Sequence, residues 1–533
     1  MAQNKLARML RDQFSVLKNK RANWESHWQE IADFVLPRRA DVNVTRSRGD
    51  KRTERIFDAT ALRSSELFAS SLHGMLTNPA TAWFSMRYKD ESIAKDKQNK
   101  DWLEACTETM YMALDRSNFQ QEVHELYSDL ITFGTGCMMI ESDEESFLRF
   151  STRHIKEVYI QENNKAQVDT IHREIKMTAR AVVQQFGIEN VGKNISQAMK
   201  KSPHEDVTIY HCVKPNDKSN PYEMKNSAMK FSSMYYTDDG HLISASGYKE
   251  FPFVVPRYLK SSSEVYGRSP AMTSLPDIKM INKMSETTIK AAQKMVDPPL
   301  LVPDDSFMLP IRTNPGGLNF YRSGTRDTIT PLAIGANTPL GLQIEEQRRT
   351  AIKQAFYVDQ LLMSQNQMMT ATEVMQRNEE KMRLLAPVLG RLQSEMLRPL
   401  IDRTFAILLR KQILPAPPES LQGQDINIEY VSPLARSQKL GDIQAILRTL
   451  EITTPLAQMS PLMDYMNNDE LIVHLAKVLG VPSKVMRSTT EVEEIRQQRA
   501  QQQQEAQQQQ QQMQLAETAA KSPQLMEQMQ QGG

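Results

Sequence analysis

A chain of 533 residues and 61.0 kDa is too long for one ordinary hydrophobic core, and its length predicts about three or four packing units. Apolar residues make up 40% of it, enough to build those cores, while 65 Lys plus Arg against 64 Asp plus Glu exclude a general nucleic-acid binder with a basic excess, so any DNA contact must come from local arrangement. Cys106, Cys137 and Cys212 are scattered and odd in number, which predicts neither a disulfide framework nor a zinc site, and the charged stretch MAQNKLARMLRDQF and the lack of any long uncharged apolar run predict neither export through a membrane nor insertion in one.

From Leu6 to Val35, Leu10, Phe14, Leu17, Trp24, Trp28, Ile31 and Val35 recur at helical spacing until Pro37 stops the pattern. Residues 54–77 and 101–131 behave alike, so the first quarter reads as helical. After the turn Gly134-Thr135-Gly136 come short β-branched and aromatic runs, EVYIQ, VDTIHREI, VTIYHCV, MYYT and FVVPRY, separated by polar turns. These predict antiparallel sheet, hence an α+β, mainly helical chain. A helix beginning at Ser269-Pro270 or at Pro276 and stopped by Asp297-Pro298-Pro299 follows. The Pro/Gly-rich stretch 298–339, with strand-like pieces such as LNFYR, reads as a small β-containing module. Thr338-Pro339 then caps a second helix, GLQIEEQRRTAIKQAFYVDQLLM, whose roughly 20 residues span about 30 Å. Beyond a polar loop, Ser364 to Met369, Thr370 and Glu373 have the spacing of a capping box and open a long helix to about Gln412, with Pro387 and Pro399 as kink positions. A strand, DINIEYV, and helices between 436 and 480 complete the folded part. From about Arg496 the chain is mostly Gln, which cannot bury apolar surface and predicts disorder or a loose helix.

Few motifs carry chemistry. Residues 187–194, GIENVGKN, depart from the P-loop pattern GxxxxGK[ST] at the last position, where Asn194 replaces the hydroxyl that holds magnesium, and TARAVVQQF before them reads as a Thr-capped helix, not the strand a P-loop needs. Gly134-Thr135-Gly136 lacks the third glycine of a dinucleotide fingerprint and reads as a tight turn. No HExxH or GxSxG spacing occurs, so no catalytic residue, cofactor or metal is expected. One charge pattern stands out. Lys279, Lys283, Lys290 and Lys294 fall within about 60° of one another on a helix, beside a face carrying Met280, Met284, Ala291 and Met295. The stripe reads either as a solvated face opposite a core face or as a contact surface for DNA.

Four strings, in order along the chain, decide the context: SSLHGMLTNPATAWFSM, LYSDLITFGTGCMMIE, EVYGRSPAMTSLPDIKMIN and TATEVMQRNEEKMRLLAPVLGRLQSEMLRPLIDR. Together they resemble the portal, or head-to-tail connector, family of short-tailed bacteriophages. The resemblance implies a wing over 1–268, a first stem helix over 269–297, a clip over 298–339, a second stem helix over 340–363, a tunnel loop over 364–369, a long kinked helix with a wing strand over 370–435, a crown over 436–490 and a Gln-rich tail over 491–533.

It further implies a ring of about twelve copies at the head-tail junction of the virion, assembled in the host cytoplasm, through which double-stranded DNA enters and leaves the capsid. Expected partners are a terminase motor, the major capsid and scaffolding proteins and tail adaptors. Lys279, Lys283, Lys290 and Lys294 are then candidates to face the channel or an adjacent subunit, with Glu345 and Glu346 as ion-pair partners, and Gln365, Asn366, Gln367, Met368 and Met369 to form the tunnel loop. Tight phosphate pairing all along a channel would stall a moving duplex, so a near-neutral chain with restricted basic stripes suits a conduit. The competing readings are a packaging or helicase ATPase using 187–194 and a tail or adaptor protein with no DNA channel.

Overall fold

The apolar spacing that starts at Leu6 becomes one helix in the computed structural model, α1 (Ala2–Val35), which buries Ala7, Leu10, Phe14, Trp28, Ile31 and Val35 and ends ahead of a 3-10 turn at Pro37. The structure describes residues 2–44, 49–88, 96–219, 228–302, 338–361, 383–421, 428–431, 467–479 and 489–530, with isolated positions between them. They form two compact units, both discontinuous in sequence: Met1–Trp83 with Met110–Lys411, and Phe84–Thr109 with Gln412–Gly533.

The helical first quarter contains α2 (Thr60–Leu76), α3 (Lys97–Arg116) and α4 (Phe119–Phe133). The periodic stretch 101–131 is thus two helices, interrupted where the Asn118 side chain pairs with the backbone of Phe150, Nδ2 donating to its carbonyl (2.8 Å) and Oδ1 accepting from its N–H (3.0 Å). An Asn that bonds a strand in this way competes with the helical ladder.

In the first unit, β2 (Met138–Asp143) and β3 (Phe147–Thr152) form a hairpin joined by the short β9 (Phe253–Val254). An antiparallel meander follows: β4 (Val158–Glu162), β5 (Val168–Thr178), β6 (Asp206–Pro215), β7 (Phe231–Tyr236) and β8 (Leu242–Tyr248), in that spatial order. Alternation along β6 and β7 serves two cores. Cys212, Met234 and Tyr236 pack on Ala7 and Leu10 of α1, while Ile209 meets Val182 and Ile195 of α5 (Ala179–Phe186) and α6 (Lys193–Lys201) on the other face. Of the run FVVPRY only Phe253 and Val254 are strand, and β8 lay outside the sequence expectation, since LISASGY is weakly apolar.

Residues 187–194 join these two small helices. Thr178 caps α5 by accepting from the Ala181 N–H, Gly187 ends it at φ +82°, Gly192 is the N-cap of α6, and Asn194 donates to Asp239 (3.2 Å). No strand feeds the segment, so the P-loop resemblance lacks its structural context.

Gly134 ends α4 in the left-handed region, at φ +75°. Its backbone crosses that of Gly267 so closely that a Cβ on either glycine would overlap the other's carbonyl oxygen. Thr135 Oγ1 accepts from the Gly267 N–H (2.8 Å), and Ser269 Oγ donates to the Thr132 carbonyl (2.8 Å) while accepting from the Met272 N–H as the N-cap of α7 (Pro270–Val296). The GTG turn and the YGRSP segment, far apart in sequence, are therefore one junction from which α7 departs.

After α7, β10 (Leu300–Leu301) pairs antiparallel with β11 (Thr330–Pro331); LNFYR lies largely outside the described residues. The second expected helix is α8 (Thr338–Ala355), broken at Tyr357 (φ +58°) before a last turn, α9 (Val358–Leu361). The capping box at Thr370 and the loop before it also lie outside the described residues. The long helix is described as α10, residues 383–410. Its irregularity is one π turn at Gln393–Leu397, not a break at Pro387. Pro399 has no N–H for the carbonyl of residue 395, and the Arg398 N–H reaches back to Gln393 instead, widening the turn. The turn presents Glu395 to the buried Arg257, whose Nη2 donates to Oε1 (2.7 Å) and whose Nε and backbone N–H donate to Oε2 (3.1 and 3.0 Å); Glu162 takes Nη1.

In the second unit, β1 (Ser85–Tyr88) pairs antiparallel with β12 (Ile428–Val431), so the described part of DINIEYV, its last four residues, is a strand as expected. Trp102 Nε1 donates to the Pro415 carbonyl (2.9 Å). Helix α11 (Asn468–Leu479) is the described part of the expected 436–480 helices, and the Gln-rich end is one continuous helix, α12 (Thr489–Gln530). Gln is a good helix former, and an exposed helix needs no apolar face to satisfy its own backbone.

Candidate nucleic-acid interface

Helix α7 carries the lysine stripe. Its first four turns are anchored: Ala271, Leu275, Ile278, Ile281, Asn282 and Ser285 face inward, and Asn282 clamps the segment before α2, accepting from the Phe57 N–H (2.7 Å) and donating to the Arg55 carbonyl (2.8 Å). Beyond Ser285 no residue of the helix is buried. Met280 and Met295 are 47% and 56% exposed, and Met284 and Ala291 only half-buried, so the Met-bearing face beside the lysines is not the core face; the stripe through Ile278 and Ile281 is.

All four lysines are exposed. Lys279 pairs with Glu30 of α1. Lys283 (2.9 Å) and Lys290 (2.6 Å) both donate to Glu286, and those two hydrogen bonds, Lys290 first, hold its carboxyl down to about 2. Lys294 has no carboxylate partner among the described residues. Glu345 and Glu346 serve other groups. Glu345 is buried in α8 and accepts from Thr288 Oγ1 (2.6 Å), Ser285 Oγ (3.5 Å) and Arg349 (3.0 Å); Glu346 pairs with Arg349 and lies 4.0 Å from Lys353. These bonds fasten α8 to α7, and Arg349 continues the tie to Asp58 (2.9 Å).

The stripe is thus a row of four ammonium groups with two carboxylates, Glu30 and Glu286, set among them. The Glu286 role was readable from the spacing Lys283, Glu286, Lys290, which is i,i+3 and i,i+4 on one face. Nothing in the sequence connects Lys279 to Glu30 or Arg257 to Glu395, because those pairs are made by the chain path. Gln365, Asn366, Gln367, Met368 and Met369 lie outside the described residues.

Comparison with known proteins gives the family of the chain. The profile of the "Bacteriophage head to tail connecting protein" family matches residues 7–486, and the chain belongs to that family. Two relatives extend the match over nearly the full length. The portal protein of Salmonella phage epsilon15 is 31% identical over 513 residues, covering 93% of this chain and 91% of its own. The probable portal protein of Bordetella phage BPP-1 is 31% identical over 532 residues, covering 98% and 96%. The function of the chain is that of a portal, the connector between phage head and tail.

Proposed function

We propose that the chain performs this role as one of twelve copies in a closed ring, with α7 and α8 as the stem around a channel for double-stranded DNA, residues 298–339 as a clip and residues 364–369 as a tunnel loop. The observation that carries the proposal is the free half of α7. Past Ser285 it exposes a Met-bearing face and a lysine-bearing face side by side. In a ring built from heterologous contacts, the apolar face has a neighbouring copy to meet and the charged face is repeated around the axis.

Each subunit then contributes four ammonium groups to the lumen and, through Glu30 and Glu286, two carboxylates close beside them. The charge draws DNA in, while the paired lysines release few counterions per phosphate met, which keeps the duplex free to slide. On the tunnel loop, Gln365, Asn366, Gln367, Met368 and Met369 offer amides and flexible thioethers, groups that touch a passing duplex without locking its phosphates. ATP-driven motion belongs to a separate terminase docked on the clip; capsid, scaffolding and tail adaptor proteins meet the outer surfaces at the head-tail junction, after assembly in the host cytoplasm.

The test is the mass of the purified protein at micromolar concentration and physiological salt. Twelve times 61.0 kDa is about 730 kDa, and an end-on electron micrograph should show a ring with a central hole. A species near 61 kDa would sink the ring, and a closed assembly without a hole would favour an adaptor over a conduit.

A further inference from the structure

A cavity of about 380 Å³ opens between the far end of α10 and the edges of β2 and β8, away from α7. One wall is apolar, made by Met229, Ile407 and the Tyr248 ring. The other is cationic. Arg403, only 5% exposed, donates from Nε to the Ile140 carbonyl (2.9 Å) and from Nη1 to the Glu250 carbonyl (3.1 Å), lies 3.5 Å from the Glu250 carboxylate, and has its guanidinium 5.4 Å from the Tyr248 ring centre. Its Nη2 has no partner among the described residues. Arg410 is spent in a bidentate pair with Glu250 (2.6 and 2.9 Å) and Lys411 donates to the Asp143 carbonyl, while the exposed Lys249 has no carboxylate partner among the described residues. Four cations, Lys249, Arg403, Arg410 and Lys411, stand against two carboxylates, Glu141 and Glu250, leaving a surplus of two positive charges.

We propose that this cavity is a binding site for a phosphomonoester, with the phosphate oxygens on Arg403 Nη2 and the Lys249 ammonium and the organic body against Met229, Ile407 and Tyr248. The Nη2 edge of Arg403 is open to the solvent of the cavity, and a phosphate would replace water there with a charge-assisted hydrogen bond. The surplus of two charges selects among anions. A phosphomonoester carries nearly two negative charges at neutral pH, whereas a carboxylate or a DNA phosphodiester carries one. The volume suits a small organic molecule and exceeds the need of a bare ion. The site does not depend on ring formation and stands or falls separately from the channel.

The experiment titrates the full-length protein at constant ionic strength with phenyl phosphate, inorganic phosphate, dimethyl phosphate and succinate, reading heat of binding and the thermal midpoint. Phenyl phosphate should bind saturably and raise the midpoint, inorganic phosphate should bind more weakly, and the monoanionic diester should give no saturable response. Lys249→Gln, at an exposed position that leaves the fold intact, should weaken phenyl phosphate at least about ten-fold, a loss of about 1.4 kcal/mol, and Lys249→Glu should abolish it. Equal responses from all four anions, or identical binding by wild type and Lys249→Gln, would overturn the assignment. Saturable binding of succinate alone would overturn it too, in favour of an acidic side chain of another protein as the occupant.

Discussion

Glu286 decides how positive the α7 stripe is, because one carboxylate serves both Lys283 and Lys290. Glu286→Gln should therefore tighten non-specific duplex binding by the assembled protein and steepen its salt dependence by about one to two units in log K against log salt. Fluorescence anisotropy over a salt series measures this, and an unchanged slope would show that the two lysines never meet phosphate. A second residue-scale effect concerns acid. His154 accepts the Lys156 N–H at Nδ1 and donates from Nε2 to the Arg39 carbonyl (both 3.0 Å), so it is held neutral. Burial lowers His154 and His172 to about 4 and His211 well below its ordinary value. Unfolding lets all three take up protons below about 6.5, so their contribution is complete above that pH and is lost as pH falls towards 4. Buried Asp129 works in the opposite sense. Burial outweighs its pairing with Arg39 and raises its carboxyl to about 7, so it favours the folded state on acidification. Three protons against one leave a net loss near pH 5 of about 2–3 kcal/mol per pH unit. Thermal midpoints should fall between pH 7 and pH 5, and less so in His172→Gln; a flat profile in wild type would remove the histidines from the account.

At the scale of elements, the crossing of Gly134 and Gly267 fixes where α7 leaves the sheet. Gly267→Ala places a methyl group on the Gly134 carbonyl and should cost about 3 kcal/mol or more, lowering the thermal midpoint and the soluble yield. Gly74→Ala is the contrasting case. Gly74 lies inside α2 with no atom within 4 Å of an added Cβ, so the substitution should stabilise by up to about 1 kcal/mol through helix propensity. If both behave alike, the backbone crossing does not govern folding. The same junction shows what periodicity reads well and badly. Ser269 as N-cap, Asp297 as stop and Thr178 as cap were legible because caps act within a few residues. The break at Asn118 and the π turn at Gln393–Leu397 were not, since Asn118 answers to Phe150, and the reach of Arg398 to Gln393 depends on what α10 packs against.

For the whole molecule, α12 is helical yet solvent-exposed at every residue from Arg496 to Gln514. The ion pairs that tie its start, Lys97 with Glu491 and Arg496 with Asp469, lie at or before Arg496. A chain truncated after Arg496 should keep its fold and its assembled mass per subunit count. Monomers from that truncation, under conditions where the full chain assembles, would make the Gln-rich helix an oligomerisation element. Residues 84–109 belong to the same compact unit as the C-terminal part because β1 pairs with β12, a contact across more than 300 residues of chain.

The sequence by itself determined the α+β, mainly helical class, the order of helix, sheet and helix, the lysine stripe and the family. Each of these is written in short-range information, in apolar periods, caps, prolines and local strings, which physics enforces within a few turns of chain. Tertiary structure alone decided which face of α7 is core, that Glu30 and not Glu345 neutralises a lysine, that Arg257 clamps Glu395, and that Arg403 keeps an open edge in a cavity. Burial and ion pairing depend on which distant residues arrive at the same place. Spacing along the chain holds no record of that, because folding chooses those neighbours by packing the whole core at once.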